Sequence, residues 1–155
     1  MIIFILLLHN LAAIFLLGAI THQATASWRS GPARRPQGLA ASFPAVRAEL
    51  YATAIVCAYV LTLLLGDVLY GPYRVDVKTM LFETQQWAWN GVFEIKEHVA
   101  AIGLFLLPAY WLLWRATPSA QNMRARRCVS TLLAAIVWYA LLAGHMLNNL
   151  KGVGF

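Results

Sequence analysis

Charged side chains are scarce in this chain. Asp, Glu, Lys and Arg together make up 12% of the 155 residues, whereas hydrophobic residues make up 61%, and the mean hydropathy is +0.64. A typical soluble domain has about 25% charged residues. The composition therefore excludes an ordinary soluble globular protein and predicts an integral membrane protein.

Familiar enzyme signatures are missing as well. The sequence has no Gly-rich phosphate-binding loop, no nucleophile elbow and no paired-cysteine metal motif. Its two cysteines, Cys57 and Cys128, are expected at different depths, so we predict no disulfide and interpret both as packing residues. We expect a non-catalytic subunit whose reaction centre lies in another chain.

Nucleic-acid binding is excluded despite the net charge of +6. No basic motif with interleaved aromatic residues is present, and the basic residues are concentrated in two connections. We attribute the charge to membrane topology and to contact with anionic lipid.

Four segments are apolar enough to cross a bilayer, which requires about 20 residues each. They comprise residues 2–21, 48–70, 93–114 and 128–150. We predict an all-α fold, a four-helix bundle forming a single membrane domain over residues 1–155. Because no basic residue precedes the first apolar run, we expect a retained helix rather than a cleaved signal.

Topology follows from the basic connections, since short Lys/Arg-rich loops stay in the cytoplasm. The basic residues of these two connections are Arg29, Arg34, Arg35, Arg47, Arg115, Arg124, Arg126 and Arg127. We therefore predict both termini on the outer side and a location in a bacterial inner membrane. The Pro-containing segment 27–44 is predicted to be irregular and to follow a partner or the lipid surface.

The outer connection between the second and third spans is rich in aromatic residues. Residues 75–93 predict a short helix in the membrane interface, with Trp87 and Trp89 at headgroup level. A structural lid with an aromatic belt is one interpretation of this pattern. The other is a surface that binds a quinol or docks a partner.

Histidines inside the apolar spans are the main functional signal, because ionisable groups there are costly. His98 and His145 are expected about five residues inside the outer ends of the third and fourth helices, and thus at one level. His9 lies slightly deeper, whereas His22 lies at the inner end of its helix. Two imidazoles at one depth, with Gly144 beside them, predict a b-type haem. His98 and His145 would be the axial ligands of its iron, and His9 is the alternative ligand.

This pattern resembles the membrane-anchored b-type cytochrome subunits of respiratory complexes. The resemblance rests on the four spans and on the pair His98 and His145. It implies electron transfer between haem and a quinol, or a redox protein docked on the outer side, in a complex with other membrane subunits. We expect at most one haem, because His22 has no partner at its depth.

A mixed metal site is an alternative interpretation. Glu94 and His98 are four residues apart and so share a helix face, and Asp67 is expected at a similar level. Together with His9 or His145 they would offer nitrogen and oxygen ligands for zinc, iron or copper.

Two further interpretations stay open. Glu94 or Glu97 is a candidate proton acceptor from a quinol under the loop that carries Trp87 and Trp89, although charges at a membrane boundary also serve as anchors. The chain is alternatively a haem-free assembly subunit, in which the histidines form hydrogen bonds between helices.

Overall fold

A computed structural model describes residues 1–29, 48–117 and 119–152 of the chain. These ranges contain helices joined by turns and no strand. The helices are α1 (Ile2–Arg29), α2 (Ala48–Tyr73), a π-helical turn (Arg74–Lys78), α3 (Thr79–Glu83), α4 (Trp87–Arg115) and α5 (Ala120–Gly152). Four of the helical segments in the described part are long and apolar enough to cross a membrane. The predicted all-α, four-span membrane fold is confirmed.

The helices extend beyond the predicted spans. Hydropathy delimits the part of a helix that lies in lipid, whereas the polar ends continue the helix until the backbone is broken. As a result α1 continues to Arg29, and Trp87 and Trp89 form the first turn of α4 rather than an interfacial helix. The short helix between the second and third spans is α3, residues Thr79–Glu83. The segment 27–44 was predicted to be irregular; its first three residues instead continue α1 to Arg29, and residues 30–44 lie outside the described residues.

The four long helices are antiparallel to their neighbours in the bundle. Helix α1 packs against α2 and α5, and α4 packs against the same two helices, so that α1 and α4 lie on a diagonal. We name the end that contains Met1, α3 and Gly152 the terminal end, and the opposite end, with Arg29 and Arg115, the basic end. The terminal end is the side that the sequence predicts to be outside.

On each long helix, residues spaced alternately by three and four positions face the bundle axis, as in a coiled coil. We call this row of residues the seam of the helix. The seam of α4 consists of Phe93, Lys96, Ala100, Gly103, Leu107, Tyr110 and Trp114. The seam of α2 consists of Ala52, Ile55, Tyr59, Thr62 and Gly66. Apolar seam residues such as Leu16, Ile55 and Leu133 form the core. Polar side chains on a seam are therefore brought into the interior.

Tyr59 shows how closely α2 and α4 approach. Its hydroxyl donates a hydrogen bond to the carbonyl of Ala100 at 2.8 Å, and its ring lies against Gly103. A Cβ atom at position 103 would overlap the hydroxyl and stand 2.7 Å from the Tyr59 Cζ atom. The ring cannot move aside easily, because Tyr59 is only 4% exposed.

We expect Gly103→Ala to destabilise the protein by about 1–3 kcal/mol, because overpacking displaces the Tyr59 ring and its hydrogen bond. The measurement is the thermal unfolding temperature in detergent. Gly18→Ala is the matched control, since a Cβ at position 18 meets nothing within 4 Å. Equal unfolding temperatures for the two variants would contradict this description of the α2–α4 contact.

Candidate functional site

His9 enters the bundle from α1 and is held by α2. Its Nδ1 atom lies 3.0 Å from the carbonyl oxygen of Thr62. Because a carbonyl only accepts, Nδ1 carries the hydrogen, and Nε2 of the neutral ring is left with its lone pair. Gly66 makes room for this ring, since a Cβ there would stand 3.3 Å from the His9 Cε1 atom.

Lys96 enters the same half of the bundle from α4. Its ammonium passes Gly144 of α5, where a Cβ would stand 3.4 Å from Nζ, and it lies 5.8 Å from the centre of the Phe93 ring. Lys96 is close enough to interact electrostatically with His9 and with Glu97. Lys78 forms a salt bridge with Glu94, whereas Lys96 makes no such contact with the described residues.

These residues form one layer of the bundle, and each of the four long helices contributes one residue to it. We name it the His9–Lys96 layer; it consists of His9, Gly66, Lys96 and Gly144. It offers an ammonium donor and an imidazole lone pair within apolar surroundings. A charge held inside a membrane bundle is costly and marks a functional site by default. This donor and acceptor pair suits a ligand with oxygen atoms at two positions.

An aromatic cluster closes this layer toward the terminal end. The Phe93 ring stacks on Tyr73 at 4.1 Å between centroids and on Tyr70 at 6.1 Å. Val77 and Leu81, from the connection between α2 and α4, are buried against it. The rings thus place an apolar surface beside the layer, and a lower local dielectric strengthens electrostatic interactions.

Of the predicted quinol residues, Trp87, Glu94 and Glu97 are exposed and Trp89 is half-buried. The Glu94 carboxylate accepts hydrogen bonds from Lys78 at 3.1 Å and from Asn90 at 3.2 Å, and thereby ties the π-helical turn to α4. Trp87 is 55% exposed. Glu94 thus acts as an anchor of the connection, whereas Glu97 and the half-buried Trp89 lie nearer the aromatic cluster.

His98 points away from the bundle. It occupies the same heptad position as Phe105 and Leu112, which are 81% and 61% exposed. Its Nδ1 atom donates a hydrogen bond to the carbonyl of Glu94, one turn earlier in α4, at 2.6 Å. The side chain therefore faces the surroundings of the helix bundle rather than its axis.

His145 lies on a different side of the bundle. It shares a heptad position with Thr131 and Trp138, both of which hydrogen-bond to α1, and its Nε2 atom accepts a hydrogen bond from Asn149 at 3.1 Å. His98 and His145 hydrogen-bond within their own helices and not to each other. A haem ligated by both imidazoles within this one chain does not fit this arrangement.

The predicted mixed metal site is not assembled either. Asp67 and His98 are exposed, and the Glu94 carboxylate is occupied by Lys78. Among the described residues no three His, Cys, Asp or Glu side chains are grouped so that they would hold a metal ion. His22, predicted at the end of its helix, lies seven residues before the end of α1 and packs edge-on against Tyr51 at 5.3 Å.

Sequence reasoning missed Lys96 as an internal residue. In the sequence Glu94 and Glu97 flank it, and such alternating charges are typical of a membrane boundary. The available signal was its spacing, three residues after Phe93 and seven before Gly103, on one apolar seam. The same signal identifies Gln23 and Tyr110, which are 4% and 0% exposed.

The fold and this layer define a four-span, all-helical membrane protein with an internal polar site. Comparisons with protein-family models, with curated proteins and with solved structures find no match for this chain. We therefore infer the function of the chain from the geometry of this site.

We expect the purified chain to show no b-type band in a reduced-minus-oxidised visible spectrum, because its two candidate axial histidines face different sides. His98→Ala and His145→Ala variants are measured in parallel. A band in the wild-type chain that disappears in both variants would contradict the geometry and establish the axial pair.

Proposed function

We propose that this protein is a membrane subunit of an electron-transfer complex in a bacterial inner membrane, and that it binds a quinone or quinol headgroup in the His9–Lys96 layer. Two observations carry the proposal. The Lys96 ammonium forms no salt bridge among the described residues, and the Nε2 lone pair of His9 is available beside it. Both groups lie inside the bundle, where water competes least for hydrogen bonds.

The chemistry of a quinone matches this pair. Quinone oxygens accept hydrogen bonds, quinol hydroxyls donate them, and the interconversion takes up or releases two electrons and two protons. Lys96 Nζ donates a hydrogen bond to one of the two oxygens that the quinone ring carries. His9 Nε2 accepts a hydrogen bond from a hydroxyl at the other side of the ring and holds a proton there, while the Thr62 carbonyl keeps the imidazole oriented.

Electrons reach this layer from another chain of the complex. Haem b on His98 and His145 stays a prediction from the sequence. Because the two imidazoles point to different sides of the bundle, each would need its second axial ligand from another subunit. Other membrane subunits, and a redox protein on the outer side, are therefore the partners that we propose.

We expect a short-tailed quinone, titrated in its reduced quinol form, to bind the full chain in lipid nanodiscs, to bind Lys96→Met about ten- to a hundredfold more weakly, and to bind His9→Leu about two- to tenfold more weakly. The reason is that Lys96→Met removes a charged donor, whose hydrogen bond contributes about 1.5–3 kcal/mol, whereas His9→Leu removes a neutral acceptor, whose hydrogen bond contributes about 0.5–1.5 kcal/mol. The measurement is a binding titration by equilibrium dialysis with ubiquinone and menaquinone analogues.

His98→Ala is the matched control, because it removes an exposed imidazole and should leave the affinity unchanged. Thermal unfolding of each variant establishes that the bundle remains intact. Absence of quinone binding by the wild-type protein, or equal affinities for all variants, would overturn the proposal and leave a haem-free assembly subunit as the interpretation.

A further inference from the structure

An apolar groove runs along the outer surface of the bundle between α2 and α4. Its volume is about 320 Å³, and it is lined by Val56, Val60, Leu104, Leu107, Pro108 and Trp111. Val60 and Leu104 are 37% and 39% exposed, so the groove opens outward from the two helices. At this position in a membrane-spanning pair the groove faces lipid chains.

The Arg115 side chain lies at the basic end of this groove and is held against an aromatic ring. The Arg115 guanidinium lies 4.4 Å from the centre of the Trp111 ring, and the Trp111 indole nitrogen donates a hydrogen bond to the Thr53 hydroxyl at 3.2 Å. Arg115 is the last residue of α4 and is exposed. The six residues that line the groove carry no charge, so Arg115 adds a positive charge at its basic end.

We propose that this groove binds an anionic phospholipid, with an acyl chain along the apolar walls and the phosphate on Arg115. The planar guanidinium matches two phosphate oxygens and retains that geometry while it stacks on an aromatic ring. Basic pockets between membrane helices select anionic headgroups. A zwitterionic lipid carries the same phosphate, but its ammonium would add a positive charge at the basic end, close to Arg115.

Lipid retention by the purified full chain tests this site. The delipidated protein is titrated with phosphatidylglycerol or phosphatidylcholine of identical acyl chains, and the bound lipid is counted by native mass spectrometry. We expect the wild-type protein to prefer phosphatidylglycerol by about fivefold, the effect of one arginine near anionic lipid.

Three variants separate the headgroup from the chain. Arg115→Gln should abolish the preference for phosphatidylglycerol, and Leu104→Trp, which fills the groove, should reduce retention of both lipids. Arg74→Gln, an exposed arginine at the terminal end, is the matched control and should change neither. Equal retention of the two lipids by the wild-type protein, or an equal loss of preference in Arg74→Gln, would overturn the proposal. The result is independent of quinone binding, since none of these residues belongs to the His9–Lys96 layer.

Discussion

A polar side chain inside a bilayer needs a partner within the protein, and this constraint governs the terminal half of the bundle. The seams of the four long helices bring His9, Tyr59 and Lys96 into the interior. The Tyr59 hydroxyl is bonded to the Ala100 carbonyl, and the His9 Nδ1 to the Thr62 carbonyl. The Lys96 ammonium has no salt bridge or hydrogen bond of this kind among the described residues. This imbalance is what favours a ligand site over a purely structural core.

Glycine makes this interior possible. Gly66, Gly103 and Gly144 each lie opposite one polar side chain from a neighbouring helix, namely His9, Tyr59 and Lys96 in that order. Small residues let membrane helices approach closely, but here they also create room for one polar group each. The close packing of the bundle and its capacity for polar chemistry therefore depend on the same positions.

Much of the fold could be predicted from the sequence, whereas little of the site could. Apolar runs determine the number of spans and the approximate depth of each residue, which is why the four-helix fold was predictable. Depth says nothing about direction around a helix. His98 and His145 were paired because their expected depths agree, yet they face different sides of the bundle. Lys96 has charged neighbours in the sequence, and only its place on the seam reveals that it points inward.

The most direct test of the central claim is a contact between Lys96 and the ligand. Solid-state NMR on protein with ¹⁵N-labelled lysine, in bilayers that contain a quinone with ¹³C-labelled carbonyl groups, detects such contacts. If Lys96 binds the quinone, a nitrogen–carbon correlation appears and is lost in Lys96→Met. A correlation that persists in Lys96→Met, or no correlation in the wild-type protein when quinone is bound, would contradict this claim.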